Sequence, residues 1–320
     1  MKVIYVGTQK DYYNPDRGYS FEYNNFYPTL KNMEGMEVIE YPMDSIAQIG
    51  KVAWNHGLLD LVRREKPDVL FAFMLSDEFD KEMLLEIKKL TTSIAWFADD
   101  SWRFYNYSRN WPPYFTWVVT TYSYVPGLYA VLGHANVIRS QWGANPNAWH
   151  AVPGQSKDID VSFVGQRNPM RARVVDALRE AGIKIFVRGW GWSEGKASQA
   201  ELMEIIARSK INLNINSQPS LWDPKSLARL LLRRSCTKIV PDFNFAHNFA
   251  SWRRIDVPQV KARPFELAAT GAFVISGFAD DIEKYYAPDE EMVFYRTTEG
   301  LIEKIRQYLA HDIRREEIAR

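Results

Sequence analysis

The chain has one cysteine, Cys236, in 320 residues, which excludes an intramolecular disulfide and a cysteine-based zinc site. Its five histidines (His56, His134, His150, His247 and His311) show no H-x-x-x-H spacing, so no metal is expected. No stretch approaches the roughly 18 consecutive apolar residues of a spanning helix. The opening MKVIYVGT has the pattern of a strand rather than of a charged region followed by an apolar one. The expectation is therefore a cytoplasmic protein without an integral membrane segment. G-x-G-x-x-G and G-x-x-x-x-G-K-[ST] are both absent, which removes the standard dinucleotide fingerprint and the P-loop. Repeats of fixed period and low-complexity tracts are also missing.

What remains is globular in composition. Apolar residues make up 46% and charged residues 25%, and only the aromatic share, 14%, is high. The net charge of +1 hides an uneven distribution. Residues 1–150 carry 14 Lys and Arg against 17 Asp and Glu; residues 157–263 carry 19 against 10; residues 264–320 carry 7 against 12. A basic middle favours an anionic ligand such as a phosphate ester, although solvated helix faces give similar counts.

Short apolar, β-rich runs alternate with helical spacing through the first half. Strands are expected at Val3–Gly7, Val38–Tyr41, Val69–Met74, Ile94–Ala98, Trp117–Thr121 and Val137–Gln141, with helices over 45–65 and 79–90. The βαβ rhythm implies a parallel sheet. Gly143–Lys157, rich in Gly, Pro, Asn and Ala, has the composition of a linker. A second series follows: strands at Ile159–Gly165, Ile185–Arg188, Ile211–Ile215, Phe273–Ser276 and Met292–Tyr295, and helices at 169–182, 199–209, 260–270 and 299–310. This predicts an α/β chain of two Rossmann-like doubly wound domains, 1–145 and 158–320, facing each other across a cleft. Residues 217–257 interrupt the second series and are expected to be an insertion in it.

Ligands of open parallel sheets bind at the carboxyl ends of the strands. There the second series offers Gly165-Gln166-Arg167-Asn168-Pro169, a glycine turn leading into a helix whose N-terminus favours phosphate, with Arg171 adding charge. Any strand–glycine–helix junction has this look. Arg188-Gly189-Trp190-Gly191-Trp192 brings a ring that can border a heterocycle, or two tryptophans that pack. Lys261, Arg263 and Glu266 set two cations and a carboxylate around the start of one helix, suited to phosphate and hydroxyl groups. In the first series, Asp99 and Asp100 follow an apolar run. They either project into the cleft, one as general base, or cap the segment beginning Ser101-Trp102.

Lys261 to Ser276, K-x-R-x-F-E-L-A-A-x-G-A-F-V-I-S, resembles the C-terminal signature of group 1 glycosyltransferases with the GT-B fold, most of all the branch of the CgeB-like spore maturation protein. Val161–Gly165 and Trp96–Asp100 (W-x-x-D-D) are similar to further stretches of that family, as are residues 281–320. The resemblance implies transfer of a sugar from a nucleotide diphosphate donor to an acceptor hydroxyl without a bound metal or other cofactor. It implies that Glu266 holds the ribose hydroxyls, with Arg263 and Lys261 near the diphosphate. UDP, GDP and dTDP are not distinguished. Pro258 stands where the family's earlier glutamate would complete an E-x7-E pair. A nucleotide-sugar epimerase and a nucleotide-sugar-binding protein without turnover are the alternatives.

The acceptor is expected to be a saccharide, a lipid-linked group or another hydroxyl compound. Arg229, Arg233, Arg234, Arg253 and Arg254, interleaved with aromatics, allow a nucleic-acid acceptor, which the near-neutral overall charge disfavours. A structural arm is the competing role.

Overall fold

The computed structural model describes residues 1–320 and divides the chain into two compact units, Met1–Gln141 with Pro219–Asp256, and Trp142–Gln218 with Val257–Arg320. In the first unit β1 (Lys2–Gly7), β2 (Glu37–Pro42), β3 (Val69–Met74), β4 (Thr92–Phe97), β5 (Trp117–Thr120) and β6 (Val137–Arg139) form one parallel sheet, ordered β2-β1-β3-β4-β5-β6. All six were legible as apolar runs. A strand such as VLFAFM has no polar face, and only a sheet covered on both sides accepts it. The covering helices bury Trp54, Leu58, Val62, Leu84 and Ile87 against Ile4, Leu70 and Phe97. Asp80 opens the helix Lys81–Leu90 by accepting hydrogen bonds from the Glu82 and Met83 backbone amides. The helical run expected over 45–65 is broken at Gly50, whose φ of 81° separates Ile46–Ile49 from Lys51–Glu65.

The second unit begins with β7 (Ile159–Val164), β8 (Ile185–Arg188) and β9 (Ser209–Asn214). After β9 the chain returns to the first unit. There β10 (Leu232–Ser235) and β11 (Lys238–Pro241) form an antiparallel hairpin, and Phe245–Trp252 forms a helix. The chain then completes the second sheet with β12 (Val274–Gly277) and β13 (Val293–Tyr295), giving the parallel order β13-β12-β9-β7-β8. Its core holds Val161, Val175, Ile211, Ile275 and Ile305. In both sheets the strand order reverses beside the first strand of the series, between β1 and β3 and between β7 and β9, which is where such sheets open a crevice at their carboxyl ends. No helix is long and apolar enough to cross a membrane.

Two expectations about organisation change. The segment 217–257 does not add to the second series: residues 219–256 pack with the first unit. Asp77, just past β3, accepts hydrogen bonds from Arg233 at 2.8 Å and Ser235 at 3.0 Å, and the Cys236 amide donates to the Ser76 hydroxyl at 2.9 Å. Burial raises the Asp77 carboxyl, but these hydrogen bonds outweigh it and hold the group below the usual range. Burial also pushes the Cys236 thiol up to about 11, so it stays protonated. The stretch read as a linker is likewise not loose. Trp149 is buried against Leu202, Met203 and Leu267 of the second unit.

The hairpin contact is testable. Asp77→Ala removes the hydrogen bonds from Arg233 and Ser235 and a long one from the Cys236 thiol, and the local opening free energy of 231–241 should fall by about 1 kcal/mol. Limited proteolysis should then cut this segment about fivefold faster; an unchanged rate would show that the hairpin is held by other contacts.

Candidate functional site

The second unit's crevice is built by three loops. Gly165 follows β7 and Gly189 follows β8, and the two glycines touch: a Cβ on Gly189, whose φ is 139°, would lie 2.3 Å from the Gly165 carbonyl oxygen. The Trp192 indole donates to that same carbonyl at 2.9 Å, and the Arg167 amide donates to the Trp190 carbonyl at 2.8 Å. The loops after β7 and β8 are thus one connected surface. Gln166 and Arg167 are exposed on it, with the Arg167 guanidinium 5.6 Å from the Trp192 ring. Trp190 is 60% exposed and receives the Lys196 ammonium at 4.8 Å.

Arg188 does not behave as expected. Its guanidinium pairs with Glu201 at 2.9 Å and donates to the carbonyls of Glu194 and Lys196. It braces the loop after β8, and these partners occupy it. The carboxylate responsible lies 13 positions away on the next helix, where Glu201 also completes a capping box with Ser198.

The third loop follows β9 and meets both other groups through Ser217. Its hydroxyl accepts from the Asn168 amide group at 2.9 Å, and its carbonyl accepts from the Lys261 ammonium at 2.9 Å. Ser217 therefore ties the start of the helix Pro169–Glu180 to the start of the helix Ala262–Ala268. Sequence reading did not single it out, since a serine after a strand carries no distinguishing signal.

On the second of these helices Glu266 is 5% exposed and lies 3.2 Å from Arg263. The contact is ionic only. The buried Nη1 of Arg263 has no hydrogen-bond partner, and no hydrogen bond reaches the Glu266 carboxylate. Burial pushes the Glu266 carboxyl up, against the pull of Arg263. Arg263 also covers the Trp149 ring at 5.2 Å. Arg171 donates to the carbonyls of Ile215 and Gln166, at 3.1 and 2.9 Å, and its pKa is pushed down to about 10 by burial and by the charge of Arg263. Two guanidinium groups close enough to disturb one another, beside a lysine and a helix N-terminus, gather positive charge in the way that suits an anion.

Residues 228–320 match a glycosyl transferase-like family. That glycosyl transferase-like segment includes Lys261, Arg263 and Glu266. No curated protein matches the chain in sequence. Among solved structures, HepE from Anabaena in complex with UDP is similar at 10% identity and a TM-score of 0.58, over 100% of this chain and 93% of that one. Sucrose-phosphate synthase from Thermosynechococcus elongatus is similar at 8% identity and a TM-score of 0.60, over 100% and 92%. The lipopolysaccharide outer core galactosyltransferase WaaB is similar at 11% identity and a TM-score of 0.56, over 99% and 94%. These likenesses establish the fold, an α/β chain with parallel sheets of the GT-B glycosyltransferase kind.

In the first unit the two aspartates part company. Asp99 adopts a left-handed conformation, φ 60°, and remains partly exposed. Asp100 is 0% exposed, so it does not project into any crevice. It accepts a hydrogen bond from Ser108 at 2.6 Å and a longer one from Tyr129 at 3.4 Å, and burial pushes its carboxyl up to about 7. The adjacent acids looked equivalent because the partners of Asp100 lie 8 and 29 residues away.

Four of the five arginines of residues 219–256 are engaged within the first unit, Arg253 being exposed. Arg233 pairs with Asp77, Arg229 covers Trp102 at 4.6 Å, Arg234 covers Tyr12 at 4.7 Å and Arg254 covers Tyr105 at 4.0 Å. These four contacts tie the segment to the rest of the first unit.

Proposed function

We propose that the protein is a glycosyltransferase that moves a sugar from a nucleotide diphosphate donor to an acceptor hydroxyl. The observation that carries the reading is Glu266: a nearly buried carboxylate, without a hydrogen-bond donor of its own, at the edge of an anion site. Ribose hydroxyls would supply the missing donors, while Arg263, Lys261 and Arg171 face the diphosphate. As the bond to the sugar breaks, negative charge grows on the leaving diphosphate, and these cations supply the countercharge without a metal. Gly165, Gln166, Arg167 and Trp190 would border the nucleotide; Arg188 would only support them. Asp99 is the acid left to act as base on the acceptor hydroxyl. The UDP complex of the similar HepE supports uracil as the base, and the resemblance at 261–276 supports the CgeB-like branch. Pro258, eight positions before Glu266, favours a second reading, a binder without turnover.

Calorimetric titration with UDP, GDP and dTDP, alone and as their sugar conjugates, tests the site. Glu266→Gln should weaken the preferred nucleotide by about 10- to 100-fold, the loss of charge-assisted hydrogen bonds worth roughly 1.5–3 kcal/mol. Unchanged affinity would remove Glu266 from the site. Binding without donor hydrolysis or transfer would favour the second reading.

A further inference from the structure

Four of the five arginines of residues 219–256 are engaged by side chains outside the segment, and the same segment exposes a set of large apolar side chains. Phe243 is 77% exposed, Trp222 75% and Ile239 61%, and Phe245 and Phe249 are also exposed. The aromatic ones are contiguous. Phe245, Phe249 and Trp252 share one face of the helix Phe245–Trp252 at i, i+4 and i+7. Phe249 stacks on Trp252 at 5.7 Å, Trp252 meets Trp222 at 6.0 Å, and Phe243 meets Phe245 at 6.3 Å. The Asp242 backbone amide donates to the Leu231 carbonyl at 2.7 Å, next to Phe243 in sequence, and Ile239 is exposed on the hairpin that ends there.

We infer that this strip is a docking surface for an anionic lipid bilayer. The segment holds seven Lys and Arg against three Asp. Lys238 and Arg253 are exposed on it and form no ion pair, so a positive fringe accompanies the rings. Phenylalanine and tryptophan side chains with a cationic fringe are the composition that settles at the boundary between headgroups and acyl chains. A nucleic acid is the poorer fit. Most of the arginines it would need are already engaged, and protruding aliphatic side chains such as Ile239 and Leu231 offer nothing to phosphates or bases. Docking would bring the first unit against the lipid surface, whatever reaction the second unit supports.

The experiment is co-sedimentation of the full chain with phosphatidylglycerol–phosphatidylcholine vesicles and with phosphatidylcholine alone. The wild-type chain should bind the anionic vesicles, less so as salt rises. The combined Phe243→Ser, Phe245→Ser and Phe249→Ser variant should lose about tenfold or more in apparent affinity, with its thermal unfolding as the check on folding. The charge reversal of Lys238→Glu with Arg253→Glu should weaken anionic binding and leave all apolar side chains in place, an independent test should the first variant not fold. Wild-type protein that leaves the vesicles in solution would overturn the proposal, as would variants that bind like wild type. Either of two other results would also overturn it in the absence of vesicle binding. One is a salt-sensitive shift of single-stranded DNA lost in the apolar variant, which would give the strip to nucleic acid. The other is a dimer, seen by sedimentation velocity and lost in that variant, which would give it to a second copy of the chain.

Discussion

Arg263→Ala should cost both stability and nucleotide affinity, and the two losses should separate with pH. Removing the guanidinium leaves Glu266, 5% exposed, without its countercharge, a change expected to cost about 2–3 kcal/mol near neutral pH. Burial already raises the Glu266 carboxyl, and loss of Arg263 raises it further. A raised carboxyl binds more protons in the folded than in the unfolded chain, so the variant's stability declines as pH rises through the interval between the two pKa values. The deficit against wild type should be small at acid pH and full in alkaline solution. Adding Glu266→Gln removes the stranded charge, so the double variant should regain most of the lost stability. It should not regain binding. On the proposed reading the single variant binds the nucleoside diphosphate about 100-fold more weakly and the nucleoside nearly as well as wild type, since the lost contact is to phosphate. Thermal unfolding across pH and paired titrations measure the two effects. Equal losses for nucleoside and diphosphate would move Arg263 away from the phosphates, and a deficit constant in pH would show that Glu266 has another partner.

The parallel strands were legible because each is a local pattern. β3 and β4 announce themselves as apolar runs, and the helices over 81–90 and 199–208 begin at an Asp and a Ser that cap them. The hairpin β10–β11 carries no such signal. Its strands, LRRS and KIVP, have no buried face of their own, and its position depends on contacts between residues 156 to 160 apart in sequence. A break in the βαβ rhythm at 217–257 showed that something intervenes there, but not which unit it joins. The candidate site divides in the same way. Lys261, Arg263 and Glu266 were visible because they share one helix start. Ser217, which ties them to Asn168, and Glu201, which occupies Arg188, come from other elements, and only the folded chain brings them in.

Asp100→Asn should make the protein more stable at pH 8 than wild type. The Asp100 carboxyl is pushed from the usual 3.8 up to about 7, first by burial, with hydrogen bonds from Ser108 and Thr120 and the charge of Arg103 opposing and that of Asp99 adding slightly. Between these values the folded chain holds a proton on Asp100 that the unfolded chain has released. Stability therefore falls as pH rises from about 4 to about 7 and levels off above, a total of about 4 kcal/mol if nothing else titrates. An amide in the same cavity stays neutral throughout. Its oxygen can accept from Ser108 as the carboxyl oxygen does, so the variant should lack this descent and gain about 2–4 kcal/mol over wild type in alkaline solution, with little difference near pH 4. Asp99→Asn, at a partly exposed position, should leave the slope in place. Chemical denaturation of the three proteins from pH 4 to pH 8 resolves these curves. A wild-type profile that does not descend, or an Asp100→Asn profile that descends like wild type, would mean that Asp100 is ionised in the folded protein and has a stronger partner than Ser108 and Tyr129. A flattened profile would establish Asp100 as a neutral, structural carboxyl in the folded protein.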